Sequence, residues 1–244
     1  MRYVLITGAS GVIGSALVAA FGNAGDLVVG LDIAPASTVL ARHVQADLDR
    51  MVVDPAYREV VVAELSALTD GSGYSVIVNN AAAQQLGPFE TLSDSTWHRT
   101  INVNVLAPVM LVRSFFDDLV RNTGCVVNIS SIHAQLTKPG FSAYATSKAA
   151  LSGLTRALAV ECGGKFRVNA IAPAAVDTPM LRDGFGGNLD DLSKLARFHP
   201  TQGIGTPAEV AAVTVALSSP SMAFMNGAVI GLDGGISARL HDPA

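Results

Sequence analysis

Three side chains in one stretch of the chain are able to share the work of holding an oxygen and moving a proton. Tyr144 and Lys148 lie four residues apart in Ser142-Ala-Tyr-Ala-Thr-Ser-Lys-Ala-Ala-Leu-Ser, whose alanine content and apolar spacing predict a helix. On a helix that spacing puts both on one face. An ammonium beside a phenol favours the phenolate, by on the order of a few kcal/mol at intermediate dielectric. The expectation is therefore a Tyr144 pKa lowered by Lys148. Ser131 follows Cys125-Val-Val-Asn-Ile, whose β-branching suits a buried strand, and would bring a hydroxyl beside the phenol. Such a trio polarises a carbonyl and exchanges a proton with it. A lone Tyr-x-x-x-Lys also occurs on helices that do no chemistry, so its surroundings decide.

The strongest of those surroundings is the N-terminus. Tyr3-Val-Leu-Ile predicts a strand, and Ser15 to Phe21 a helix. Between them Gly8, Ala9, Ser10, Gly11, Val12, Ile13 and Gly14 form a glycine-rich turn. Glycines let backbone approach a pyrophosphate, and the free N–H groups and dipole of a helix start meet its charge. The next strand, Leu27 to Leu31, ends in Asp32. A carboxylate there accepts hydrogen bonds from an adenosine ribose and repels a 2′-phosphate. Ile33, Ala34 and Pro35 offer no cation to such a phosphate, so the cofactor reads as NAD rather than NADP. A loop-capping carboxylate is the plain alternative for Asp32.

The elements that position these groups alternate strand and helix along the chain. Further strands are expected at His43 to Gln45, Val76 to Asn79, Val126 to Ile129, Phe166 to Pro173 and Ala228 to Leu232. Helices are expected over Pro55–Leu68, over most of Leu92–Val120, and over Leu189–Phe198 and Val210–Leu217. This is the pattern of an α/β fold with a doubly wound parallel sheet of about seven strands and helices on both faces. Half the residues are hydrophobic and only 15% charged, as sheets buried on both faces require. One domain over 1–244 accounts for the length. A net charge of -4 with no Lys/Arg cluster argues against nucleic acid or an anionic membrane. Strand-like residues begin at Tyr3 and no apolar run reaches membrane length, so a cytoplasmic address without signal peptide is expected. Cys125 and Cys162 read as reduced core residues. The scattered histidines have no metal-ligand spacing.

Taken together, Thr7 to Gly235 resembles the short-chain dehydrogenase/reductase family, and several roles follow from the resemblance alone. Ser131, thirteen positions before Tyr144, joins Tyr144 and Lys148 as a catalytic group, with Ser130 structural. Asn104 corresponds to the catalytic asparagine that holds a water linking the lysine to solvent. Asp47-Leu48 would lie near the adenine, where a plain turn aspartate is the alternative. Asn79-Asn80-Ala81-Ala82 is similar to the family's Asn-Asn-Ala-Gly, letting cofactor approach Asn80 and Ala81, with Asn79 structural. Pro173, Val176 and Thr178 would meet the nicotinamide, Thr178 also serving as a helix cap, and Lys148 its ribose. Asp233-Gly234-Gly235 matches a C-terminal signature that in relatives lies at a subunit interface, so a homodimer or homotetramer is implied. From glycine content and position instead, residues 180–205, with Gly184, Gly186 and Gly187, are the expected lid, and His133 is an expected wall of the substrate mouth, with an acid or base as its alternative role.

The activity implied is NAD(H)-dependent interconversion of a secondary alcohol and a ketone on a Rossmann fold. Two rivals stand beside it. Gly8, Gly11 and Gly14, with Val12 at the usual middle glycine, are spaced as in the family's extended members, which include NAD-dependent epimerases and dehydratases. Those usually carry a larger C-terminal region than the short tail after Gly235. The other rival is a nucleotide-sensing protein that keeps the fold without catalysis.

Overall fold

The computed structural model describes residues 2–35, 40–184 and 189–240. Its centre is β1 (Tyr3–Thr7), buried at every position. It is followed by α1 (Val12–Asn23), β2 (Leu27–Asp32), β3 (His43–Gln45), α2 (Leu48–Val53), α3 (Pro55–Ala67) and β4 (Tyr74–Asn79). Then come α4 (Asp94–Ile101), α5 (Ala107–Ser114), α6 (Phe116–Arg121), β5 (Cys125–Ile129), α7 (Ser142–Cys162) and β6 (Arg167–Pro173). The chain closes with α8 (Pro179–Gly184), α9 (Leu189–Phe198), α10 (Pro207–Ser218) and β7 (Val229–Leu232). All strands are parallel in the order β3-β2-β1-β4-β5-β6-β7. From β1 the chain winds outward one way, then returns to β4 and winds the other. The crevice at the carboxyl ends of β1 and β4 is where such sheets bind ligands.

Period-two alternation splits the strand side chains between two cores. Val4, Ile6, Val76, Val78 and Val127 face α1 and α10, meeting Leu17, Phe21, Val210 and Leu217. Tyr3, Leu5, Ile77 and Val126 face the other layer, meeting Val61, Leu65, Leu111 and Cys162. Each fully buried aliphatic side chain contributes about 1.5–3 kcal/mol relative to exposure, so a near-continuous apolar run along each strand is what holds the sheet. Helix starts are written locally. Asp54 accepts from the N–H of Tyr57, just before Pro55, and Thr206 with Glu209 forms a reciprocal capping box on α10. Among the described residues, no helix is long and apolar enough to cross a membrane.

Two features differ from the sequence expectation. A short helix, α2, follows β3, because Asp47 turns the chain and caps it by accepting from the N–H of Asp49 at 2.9 Å. The helical stretch expected over 92–120 is broken into α4, a single π-helical turn at Asn102–Leu106, α5 and α6. Asn104 sits in that turn, and Asn102 donates to Asp49 at 2.8 Å.

The glycine loop owes its shape to two contacts. Gly8 is left-handed (φ 66°), and a Cβ there would come 2.9 Å from the Cα of Ala81. A Cβ on Gly14 would meet the carbonyl oxygen of Gly8 at 1.9 Å, whereas one on Gly11 would sit at 3.4 Å from the same atom. Gly14→Ala should therefore destabilise the protein by roughly 1–3 kcal/mol or more through overpacking. Gly11→Ala should stay within about 0.5 kcal/mol of wild type. Urea unfolding of both variants checks this, and equal stabilities would contradict it.

Candidate active site

The candidate cofactor end lies at the β1–β4 crevice. Thr7 Oγ1 accepts from the backbone N–H groups of Asn80 and Ala81, both at 3.0 Å. The Asn80 amide returns the contact, donating to the carbonyls of Thr7 at 2.9 Å and Gly8 at 3.1 Å. These bonds pin the small-residue turn after β4 against Gly8. A cavity of about 360 Å³ opens beside them, lined by Gly8, Asp32, Asp47, Leu48 and Ala81 among others. Its size falls in the range of small-molecule sites. Asp32 accepts from the N–H of Ser10 at 2.8 Å and of Ala34 at 2.9 Å, so the loop-capping role is present. A carboxylate has about four acceptor positions, so capping and ribose binding are compatible. Asp47 and Asp49 lie 3.9 and 3.6 Å from the guanidinium of Arg99, another residue of the cavity wall.

Val12, in place of the usual glycine, opens α1 with its side chain 43% exposed, beside the half-buried Ile13. The two positions that cannot carry a Cβ are Gly8 and Gly14, which the chain keeps. Helix α1 has no side-chain cap at Gly11, and the first N–H groups of any helix lack intrahelical partners. A dinucleotide fits these residues: donors and dipole for the pyrophosphate, the cavity and Asp32 for the adenosine.

The chemical end lies at the carboxyl end of β5, on α7. Lys148 is 2% exposed, and its Nζ donates to the carbonyl of Ile129 at 2.8 Å while lying 5.6 Å from the Tyr144 ring centroid. Burial holds the Lys148 ammonium down to about 8. Ser131, at the end of β5, is buried, and its Oγ accepts from the N–H of His133 at 3.2 Å. Tyr144 is half-buried; burial pushes its phenol up to about 12, and the hydrogen bond with Ser131 pulls the other way. Here the sequence expectation is corrected. Lys148 shares the face of Tyr144, yet its attraction does not lower the phenol below its ordinary value. The ammonium bonds the Ile129 carbonyl and lies 5.6 Å from the ring centroid, and desolvation is the larger effect. At neutral pH the phenol is protonated.

Asn104 joins the two ends. The π turn brings its amide inward, where it accepts from the N–H of Ala83 at 2.7 Å and donates to the carbonyl of Ala83 at 2.9 Å. It also donates to Ser147 Oγ at 2.9 Å, one residue from Lys148. Ala83 lines the cofactor cavity. Ser130 donates to the carbonyl of Lys148 at 3.1 Å and bonds Ser152 Oγ at 2.7 Å, a packing role. Asn79 donates to Asn128 Oδ1 at 2.7 Å inside the sheet.

The remaining expected residues gather at the carboxyl end of β6, without a direct bond to Tyr144. Pro173 ends the strand, Val176 pairs with Gly205, and Thr178 Oγ1 accepts from the N–H of Leu181 at 3.3 Å, capping α8. Within 180–205, Gly186 and Gly187 lie outside the described residues. Three positioning groups escaped the sequence reading: Thr7, Ser147 and the backbone of Ala83. Thr7 and Ser147 are small polar residues directly beside Gly8 and Lys148, a signal available in the sequence. Ala83 acts through its main chain and has none.

Against known proteins, a family model described as enoyl-(acyl carrier protein) reductase matches residues 8–237. The aldohexose dehydrogenase of Thermoplasma acidophilum, in ligand-free form, superposes with a TM-score of 0.92 at 30% identity, over 100% of this chain and 96% of that one. A 4-hydroxyisoleucine dehydrogenase complexed with NADH gives 0.87 at 27% identity, over 98% of this chain and 100% of that one. A Beutenbergia cavernae protein described as an NAD(P)-dependent gluconate 5-dehydrogenase, with NADP bound at low occupancy, gives 0.87 at 30%, over 98% and 97%.

The depressed pKa of Lys148 has a consequence for stability. Between pH 8 and the ordinary lysine value the unfolded chain binds a proton that the folded one has released, so stability rises with pH across that window. Above pH 10 Tyr144, raised to about 12, acts in the opposite sense. Subtracting the urea-unfolding profile of Lys148→Met from that of wild type should leave a component that climbs from pH 8 to 10. A flat or falling difference would mean the amine is not desolvated.

Proposed function

The chain belongs to the short-chain dehydrogenase/reductase family, oxidoreductases that work with a nicotinamide cofactor, and we propose that it interconverts a secondary alcohol and a ketone with NAD(H). The observation that carries this reading is the convergence of Ser131, Tyr144 and Lys148 at the end of β5, tied through Asn104 to the wall of the dinucleotide cavity. The cofactor, when bound, supplies the hydride acceptor or donor.

The chain's own residues do the rest. Gly8, Ser10, Gly11, Val12, Ile13 and Gly14 present backbone to the pyrophosphate, and Asp32 takes the ribose. Asp47 and Leu48 border the adenine, and Asn80 and Ala81 flank the middle of the groove. Pro173, Val176 and Thr178 hold the nicotinamide end, and Lys148 its ribose. Ser131 Oγ donates to the substrate oxygen. In the reduction direction the protonated Tyr144 gives its Oη proton to that oxygen as the carbonyl becomes an alcohol; in oxidation the phenolate takes it back. Lys148 steadies that phenolate when it forms. Asn104, through its π turn, would hold the water that returns a proton to Lys148. A lid over 180–205, a single domain, a homodimer or homotetramer and a cytoplasmic address complete the reading. The exposed Val160 and Phe224 provide apolar surface for a second copy.

Tyr144→Phe keeps the ring and removes the proton, and should lower turnover of any alcohol or ketone at least about a hundredfold. Wild-type turnover in that variant would take Tyr144 out of the mechanism, and NADH binding with no turnover of secondary alcohols, polyols, hydroxy acids or steroids would favour the non-catalytic rival. Fluorescence titration should give an affinity for NADH at least roughly tenfold above that for NADPH, since Asp32 faces the 2′ position with like charge. The reverse order would overturn the role of Asp32.

A further inference from the structure

Directly after Ser131 the chain makes one tight turn, Ile132–Ala134, that puts an imidazole beside the Tyr144 ring. The His133 ring lies flat on Phe141, centroids 4.2 Å apart and planes 5° from parallel. Its edge meets the Tyr144 ring at 5.9 Å and 74°. The backbone N–H of His133 is spent on Ser131 Oγ, and Nδ1 lies 3.0 Å from Thr137 Oγ1. The ring is thus fixed by a stack on one face, a hydroxyl on one nitrogen and the catalytic serine at its own backbone. Rotating it out would break the stack on Phe141 and the Thr137 contact, so its orientation is set before any substrate arrives.

Nε2 has no hydrogen-bond partner among the described residues. Burial, and then the charge of Lys138, hold the imidazole down to about 4, so at neutral pH it is uncharged. A neutral imidazole offers one donor and one acceptor nitrogen. Because the Thr137 hydroxyl can give or take a hydrogen bond, Nε2 is free to be either. Its chemical complement is an uncharged group that both donates and accepts, which is a hydroxyl. A methyl group would leave the nitrogen desolvated without a partner.

We propose that His133 is a substrate-binding residue that reads a hydroxyl on the carbon next to the reacting one, so that the site selects vicinal diols and the matching α-hydroxy ketones. The position follows from the fixed frame: Ser131 and Tyr144 would hold the reacting oxygen, while the imidazole lies 5.9 Å from the Tyr144 ring and its own backbone meets Ser131 Oγ. The inference rests on the alcohol–ketone reading of that site and narrows its substrate class.

The test compares 2,3-butanediol with 2-butanol, which share a carbon skeleton and differ by one hydroxyl. Wild type should favour the diol at least about tenfold in kcat/KM. In His133→Phe, which keeps the stack on Phe141 and lacks Nε2, the ratio should fall to within about twofold of unity, mainly through KM of the diol. His133→Asn, with an amide to hydrogen-bond, should recover part of it. A second arm measures binding of both compounds to the Tyr144→Phe protein with NADH bound, where no turnover is needed. If neither alcohol is oxidised by wild type, the alcohol–ketone reading is at fault; a diol preference in binding that disappears in His133→Phe then still upholds the role of His133. No diol preference in wild type by either measure, or one unchanged by His133→Phe, overturns the inference.

Discussion

The bond from the buried Lys148 ammonium to the carbonyl of Ile129 is the constraint on which the site depends. Desolvating an amine is costly, and among the described residues no carboxylate offsets it. What remains is a main-chain dipole at the last residue of β5, which fixes the long helix α7 against the sheet end. Tyr144, one turn earlier on α7, and Ser131, two residues past Ile129, are placed by the same junction. Burial of a charge beside a phenol and a serine is an arrangement common in sites that tune pKa values.

That junction is joined to the nucleotide crevice by a polar seam running through otherwise apolar packing. Thr7 clamps the turn after β4, Asn104 clamps Ala83, and Ser147 passes the contact to α7. Buried polar groups hold together only when nearly all are satisfied. The π turn at Asn102–Leu106 is how the chain meets that demand, since the local change of pitch turns one amide toward two partners on different elements. The departures from the family pattern fall where this seam does not need a glycine. Val12 is exposed, while Gly8 and Gly14 sit against backbone.

The sequence by itself determined a good deal. Runs such as Tyr3–Ile6 and Cys125–Ile129 specify buried parallel strands because a residue apolar on both faces has no other home. The loop from Gly8 to Gly14, Asp32 after the second strand, and Tyr144 with Lys148 at helical spacing are the groups from which the sequence proposes both ends of a site. Thr206-Pro207-Ala208-Glu209 announced its helix through a cap that uses neighbouring residues only.

Only the tertiary structure decided what those groups experience. The phenol of Tyr144 is pushed up rather than down because burial, a property of the whole fold, outweighs the hydrogen bond with Ser131, while the Lys148 Nζ is drawn to Ile129. The break in the helix around Asn104 is set by partners at Ala83 and Ser147, too far along the chain for any local pattern to register. The His133 ring is held only because Phe141 comes to lie against it. Spacing along a chain fixes which side chains share a face; solvent exclusion and long-range hydrogen bonds depend on what the rest of the fold brings to that face.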